Sequence, residues 1–241
     1  MAASAYQRQP IASLEALPHA NPQQKWLFVG LDLAPNAALE TGFCVIDPAC
    51  TLLRMDKLYT NESILTLLEA LGDWSHLVVA MDAPKNLAIT GRFRQEELKY
   101  HANRLEPLGF EREAVDRHAQ RLHWLYEALL QRGALPLLTL NAYTKVNLGL
   151  NTPFKNRSSQ GCRALQQHIA QRLPLNNVPN TLAPTAVLDA MVSAYAAWVA
   201  VHGTLGQSHG LYADEQHHVW LEVLKLAKPS PSHVRPEWVP Q

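Results

Sequence analysis

The chain has 241 residues, 47% hydrophobic and 17% charged, enough for one globular domain with a sizeable core. Lys and Arg number 21 against 21 Asp and Glu, so no net field draws the chain to nucleic acid or to a membrane surface. Three cysteines without a C-x-x-C pair read as reduced thiols of a cytoplasmic protein. The start lacks the regions of a signal peptide, and no stretch approaches the ~20 apolar residues that span a bilayer.

Residues 1–25 read as a flexible N-terminal arm with one apolar patch, Ile11 to Leu17. Trp26 to Ala34 is a near-continuous apolar run of strand length, the mark of a strand buried on both faces. Thr41 to Asp47 and Thr51 to Met55 are short apolar runs joined by Asp47-Pro48-Ala49-Cys50, a turn signal that predicts an antiparallel hairpin. Asn61 is placed to cap a helix whose apolar positions Ile64, Leu65, Leu67, Leu68 and Leu71 recur at helical spacing until Gly72. Leu77 to Met81 is another buried strand, stopped by Ala83-Pro84.

Arg92 to Arg104 and Glu113 to Gln131 read as charged helices; Val115, Leu122, Leu125, Tyr126 and Leu129 form the buried stripe of the second, and Gly133 ends it. Leu135 to Leu140 is a fifth strand. Gly161 to Leu173 is a short helix closed by Pro174, and Pro184 opens a last helix that Gly203 stops. Val219 to Leu224 reads as a final short strand. With no linker in the middle, 26–226 forms one domain, and 227–241, rich in proline, reads as a disordered tail.

Three apolar runs each carry one aspartate: Asp32 late in the first strand, Asp82 at the end of the 77–81 strand, and Asp189 in the second turn of the last helix. A lone carboxylate in such surroundings is desolvated and neutralises unless a partner or cation holds it ionised. Each has an ordinary explanation, since Asp32 and Asp82 can hydrogen-bond the turns that follow and Asp189 lies near a helix N-terminus. Asp189, Ser193, Ala196 and Ala200 form a stripe of short side chains that would let this helix lie close to a sheet.

The balanced charge is also polarised. Asp32 to Asp82 is acidic, with only Arg54 and Lys57 against eight acids, whereas Ala128 to Leu188 holds no acid but carries Arg132, Lys145, Lys155, Arg157, Arg163 and Arg172. A metal-and-phosphate site would need such a pairing, and a solvated surface bias would look the same.

Aspartate on the first strand, on the fourth strand and early in the final helix resembles the layout of RNase H-like nucleases. Gly30-Leu31-Asp32-Leu33-Ala34 with Thr41-Gly42, Ala80-Met81-Asp82-Ala83-Pro84, and Leu188-Asp189-Ala190-Met191-Val192-Ser193-Ala194 resemble the domain-of-unknown-function family 429 (DUF429), described as predicted RNase H-like nucleases. The resemblance spans roughly Trp26 to Val201. It implies an α/β fold: a mixed five-stranded sheet, three antiparallel strands then parallel ones, flanked by helices and carrying helical insertions.

It further implies a nuclease that hydrolyses phosphodiesters with Mg²⁺ or Mn²⁺, and nucleic acid as partner. Asp32, Asp82 and Asp189 would be the catalytic and metal-holding residues. Lys145, Lys155, Arg157 and Arg163 would meet phosphates. Where members often place a glutamate followed by proline after the fifth strand, this chain has Asn141, whose carbonyl can ligate a cation without adding charge. That departure keeps open a catalytically degenerate module that binds nucleic acid or protein. A phosphotransferase of the actin-like superfold ranks last, because no glycine follows Asp32.

Other chemistries find little support. His118 and His123 lack a metal-helix spacing, His217-His218 reads as an exposed pair, and the cysteines lack zinc spacing. No G-x-S-x-G or G-x-x-x-x-G-K-[ST] motif occurs, and the tryptophans form no regular stacking series.

Overall fold

Buried apolar runs become strands, and amphipathic ones become helices packed on them. The computed structural model describes residues 9–10, 26–82, 88–90, 93–94, 112–155, 157–213 and 218–226. A two-residue strand β1, Gln9–Pro10, comes first. β2 (Leu27–Asp32), β3 (Thr41–Ile46) and β4 (Leu52–Leu58) follow, the last two forming the expected hairpin. Helix α1 (Asn61–Glu69) is capped one residue earlier than expected: the Thr60 hydroxyl, rather than Asn61, accepts from the Ser63 amide at 3.1 Å.

β5 (Leu77–Asp82) is buried up to its terminal aspartate. Beyond it, β6 (Ala88–Thr90) and β7 (Phe93–Arg94) pair in a separate ribbon, so Phe93 and Arg94 are strand rather than the expected helix; the rest of that expected helix lies outside the described residues. Then come α2 (Arg112–Gln131), β8 (Leu135–Thr139), α3 (Asn141–Asn147), α4 (Ser159–Arg172), α5 (Thr185–His202), β9 (His209–Ala213) and β10 (Val219–Val223). Of these, α3 and β9 have no counterpart in the sequence reading. Pro184 is the N-cap of α5 rather than a first-turn residue. The expected tail, 227–241, lies outside the described residues.

The main sheet runs β1-β9-β10-β8-β5-β2-β3-β4. At its centre β8, β5 and β2 are parallel, β3 is antiparallel to β2, and β4 is antiparallel to β3. The antiparallel trio followed by parallel strands has the arrangement that the resemblance implied. The sheet is wider than five strands, however: β10 adds in parallel to β8, and β9 and β1 extend it antiparallel. His209-Gly210-Leu211-Tyr212-Ala213 carries neither alternation nor a β-branched run, so β9 is held by its pairing with β10 rather than by its own propensity.

Strand alternation divides the core in two. Phe28, Cys44, Ile46, Val78, Ala80 and Leu137 face α4 and α5, while Val29, Leu31, Phe43, Val45, Val79 and Met81 face α1 and α2. α5 is buried on almost every side from Ala186 to Ala200, apart from Asp189. By length and composition it is apolar enough to cross a membrane, which the sequence reading had not expected of any segment; here it lies within the core against the sheet.

The contact between α5 and the sheet is backbone to backbone. A Cβ on Gly30 would stand 1.9 Å from the Ala190 carbonyl oxygen, and one on Gly42 would stand 1.8 Å from that of Ala186. The close-packed stripe is therefore Ala186, Ala190 and Ala194. It is not the Asp189, Ser193, Ala196, Ala200 stripe anticipated from side-chain size.

Candidate active site

Strand alternation aims the first two aspartates. Asp32 shares the face of Phe28 and Gly30, Asp82 shares that of Val78 and Ala80, and both faces look toward α5. In the parallel ladders Asp32 is opposite Asp82, and Asp82 is opposite Thr139, so three strand ends present polar side chains side by side. The Gly30 and Gly42 contacts press α5 onto β2 at Ala190 and onto β3 at Ala186, on either side of Asp189, which brings the third aspartate to the same corner. Its arrival is evident electrostatically: Asp189 and Asp82 both act on Asp32.

Burial pushes the Asp32 carboxyl well above the usual carboxylate range, and the charges of Asp189 and Asp82 push it further. Lys145 and Arg157 pull the other way without reversing it. The Lys145 ammonium is 2.8 Å from Asp189 Oδ1, with both side chains nearly buried. Burial acts against the charged lysine, but Asp189, Asp82 and Asp32 together outweigh it and hold Lys145 above its ordinary value. The corner thus sets the three carboxyl groups of Asp32, Asp82 and Asp189 against the cations of Lys145 and Arg157.

Asn141, at the start of α3, ties this corner together. Its backbone N–H donates to Asp82 Oδ1 at 3.1 Å, satisfying one of the amides a helix leaves open at its N-terminus. Its side-chain amide donates to the Asp189 backbone carbonyl at 2.9 Å, and its carbonyl accepts from the Ser193 hydroxyl at 3.0 Å. Asn141 is 1% exposed. The carbonyl anticipated as a cation ligand is thus engaged with Ser193, and the residue acts as a strut between β5, α3 and α5.

These groups border a cleft of about 940 Å³ lined by Asp32, Asp82, Asn141, Lys145, Arg157 and Asp189, among others. Of the four basic residues anticipated at phosphates, Lys145 and Arg157 line the cleft. Lys155 and Arg163 are exposed and do not.

Two residues of α2 take roles that the sequence reading did not assign, His118 having been considered there only as a metal ligand. His118, buried on α2, hydrogen-bonds through Nε2 to the Leu33 carbonyl oxygen. Arg121, one turn on, donates to the carbonyl oxygens of Ala34 at 2.8 Å and Tyr59 at 2.7 Å and to Asn61 Oδ1 at 2.8 Å. Together they fix the loop that follows Asp32. Nothing local marks these contacts, which join positions about 60 to 87 apart in the chain. Gly30 did carry a signal, since a glycine inside a buried strand marks close backbone approach.

The histidine reading needs one correction. His218 is buried, 2% exposed, with Nε2 3.2 Å from His123 Nδ1. The approach of α2 to β10 covers it, and a pattern of two adjacent histidines does not reveal that. His217 lies outside the described residues.

No protein-family model matches the chain, and no curated protein does. Among solved structures, the chain is similar to T. thermophilus RuvC in complex with a Holliday junction substrate. The identity is 14%, the match covers 73% of this chain and 94% of that one, and the TM-score is 0.45.

Proposed function

We propose that this chain is a divalent-cation-dependent hydrolase of phosphodiesters in nucleic acid, of RNase H-like type, with Asp32, Asp82 and Asp189 as its catalytic carboxylates. The observation that carries the reading is the gathering of these three carboxylates, from β2, β5 and α5, at one end of the parallel strands. The donor set fits a hard cation: it offers carboxylate oxygens, and the Asp32 carboxyl is raised by burial and then by the neighbouring charges of Asp189 and Asp82. Asp32, Asp82 and Asp189 would hold Mg²⁺ or Mn²⁺, which when bound supplies Lewis acidity toward phosphate oxygens and makes water easier to deprotonate.

The chain's own residues divide the remaining work. Arg157 at the cleft wall would hold a phosphate by charge, and Lys155 and Arg163 would meet the backbone of a longer strand outside it. Lys145 balances Asp189, and Asn141 keeps Asp82 and α5 in register. The likeness to the DUF429 family and a cytoplasmic location belong to this proposal. The latter rests on the three cysteines, all of them buried and without a C-x-x-C pair.

One observation favours a second reading, a degenerate module that binds nucleic acid or protein without cutting. The Lys145 ammonium already sits on Asp189, and Asn141 adds no charge. Cleavage of labelled single- and double-stranded DNA and RNA with Mg²⁺ or Mn²⁺, by the wild type and by Asp32→Asn, decides between them. The hydrolase reading expects metal-dependent cleavage that is lost in Asp32→Asn. Equal cleavage by both proteins sinks the assignment, and binding without cleavage favours the module.

A further inference from the structure

A second group of metal-ligating side chains lies where α2 meets the beginning of β10. His123 and Glu127 are one helical turn apart on α2 and so share a face, and His218 immediately precedes β10. His123 Nδ1 and His218 Nε2 are 3.2 Å apart, and His218 Nε2 is 3.8 Å from Glu127 Oε1. One ligand atom from each residue lies within 4.8 Å of the other two.

This site is separate from the carboxylate corner. None of the three residues lines the cleft. His118, which does, precedes His123 by five residues, about 140° around the helix.

The spacing suits one ion. Two nitrogens at ~2.0–2.1 Å from a tetrahedral zinc stand roughly 3.3–3.4 Å apart. His218 is held before any ion arrives: its ring meets Tyr126 edge-on at 4.4 Å, and the Tyr126 hydroxyl accepts from the Val219 amide at 3.0 Å. His123 is exposed and Glu127 half-buried, so the group opens to solvent. Two imidazoles and one carboxylate suit borderline transition ions rather than Mg²⁺, which prefers oxygen alone. With three ligands among the described residues, a tetrahedral ion keeps a fourth position for a further ligand.

We propose that His123, Glu127 and His218 form a second metal site, for Zn²⁺ or an ion of similar preference, joining α2 to β10. It stands independently of the hydrolase reading.

The experiment uses the untagged full chain. Equilibrium dialysis measures Zn²⁺ binding, visible spectra of the Co²⁺-loaded protein report tetrahedral geometry, and thermal melts follow stability with and without Zn²⁺. Wild type and Asp32→Asn should each bind one Zn²⁺ and melt higher with it. His123→Ala, on the solvent side where the fold tolerates it, and Glu127→Gln should weaken binding by more than about tenfold and lose the rise in melting temperature. Unchanged Zn²⁺ affinity in His123→Ala, or no specific binding by the wild type, overturns the proposal. Loss of zinc in Asp32→Asn but not in His123→Ala would place the ion at the carboxylates instead.

Discussion

Replacing Lys145 by methionine keeps most of the side chain's volume and removes its charge. The ammonium is 2.8 Å from Asp189 Oδ1, and the two side chains are only 11% and 13% exposed, so solvent screens the loss little. Removing one partner of a buried ion pair costs about 3–5 kcal/mol, because the other charge stays buried and uncompensated. Asp82 and Asp32 also act on Lys145, which places this case toward the upper part of that range. In a domain near 200 residues each kcal/mol moves the melting temperature by ~2–4 °C, so Lys145→Met should melt roughly 10 °C lower at pH 7.

Two conditions should relieve it. Asp32 binds protons more readily folded than unfolded, because its carboxyl stands above the ordinary value of 3.8; its burden on the fold therefore grows as pH rises above that value and lessens as pH falls. A divalent cation on the carboxylates should do the same, by about 2.7 kcal/mol at a hundred times its dissociation constant. Calorimetric melts at pH 5 and pH 7, with and without Mg²⁺, read both. If Lys145→Met melts with the wild type at pH 7, or gains no more than the wild type from acid and Mg²⁺, the carboxylate cluster is not the source of strain described above.

Asp32→Asn removes a buried carboxyl from beside two others and should leave the melting temperature equal to or above that of the wild type at pH 7, with less gain on acidification; a marked loss in a pH series of melts would contradict this. Gly30→Ala sets a methyl 1.9 Å from one backbone atom of α5 and 2.2 Å from another, which no rotamer relieves. It should cost about 3 kcal/mol or more by denaturant titration and displace Asp189, and a neutral result would show that α5 does not rest on β2 as described. His209 is fully buried, neither ring nitrogen has a hydrogen-bond partner among the described residues, and burial lowers its pKa to about 4. The unfolded chain takes up this proton first, so stability should fall between about pH 6.5 and pH 4 by up to about 3 kcal/mol; His209→Leu should flatten that slope in urea titrations across the range.

Local chemistry made the parallel strands, α1, α2 and α5 legible, because a buried strand shows as an unbroken apolar run and a packed helix as a recurring stripe. The same logic drew attention to Asp32, Asp82 and Asp189, each a charge where its neighbours are aliphatic. Short or weakly patterned elements were lost: α3 is seven residues with no side-chain cap, and β9 depends on its partner strand. No local signal showed that Lys145 turns inward to Asp189, that the Asn141 carbonyl is taken by Ser193, or that His218 is buried against α2. Those facts follow from contacts between distant segments, whose geometry is set by the sheet register and by how closely Gly30 and Gly42 let α5 approach. The residue types at this corner are a property of the chain, while which charge meets which partner is a property of the packing.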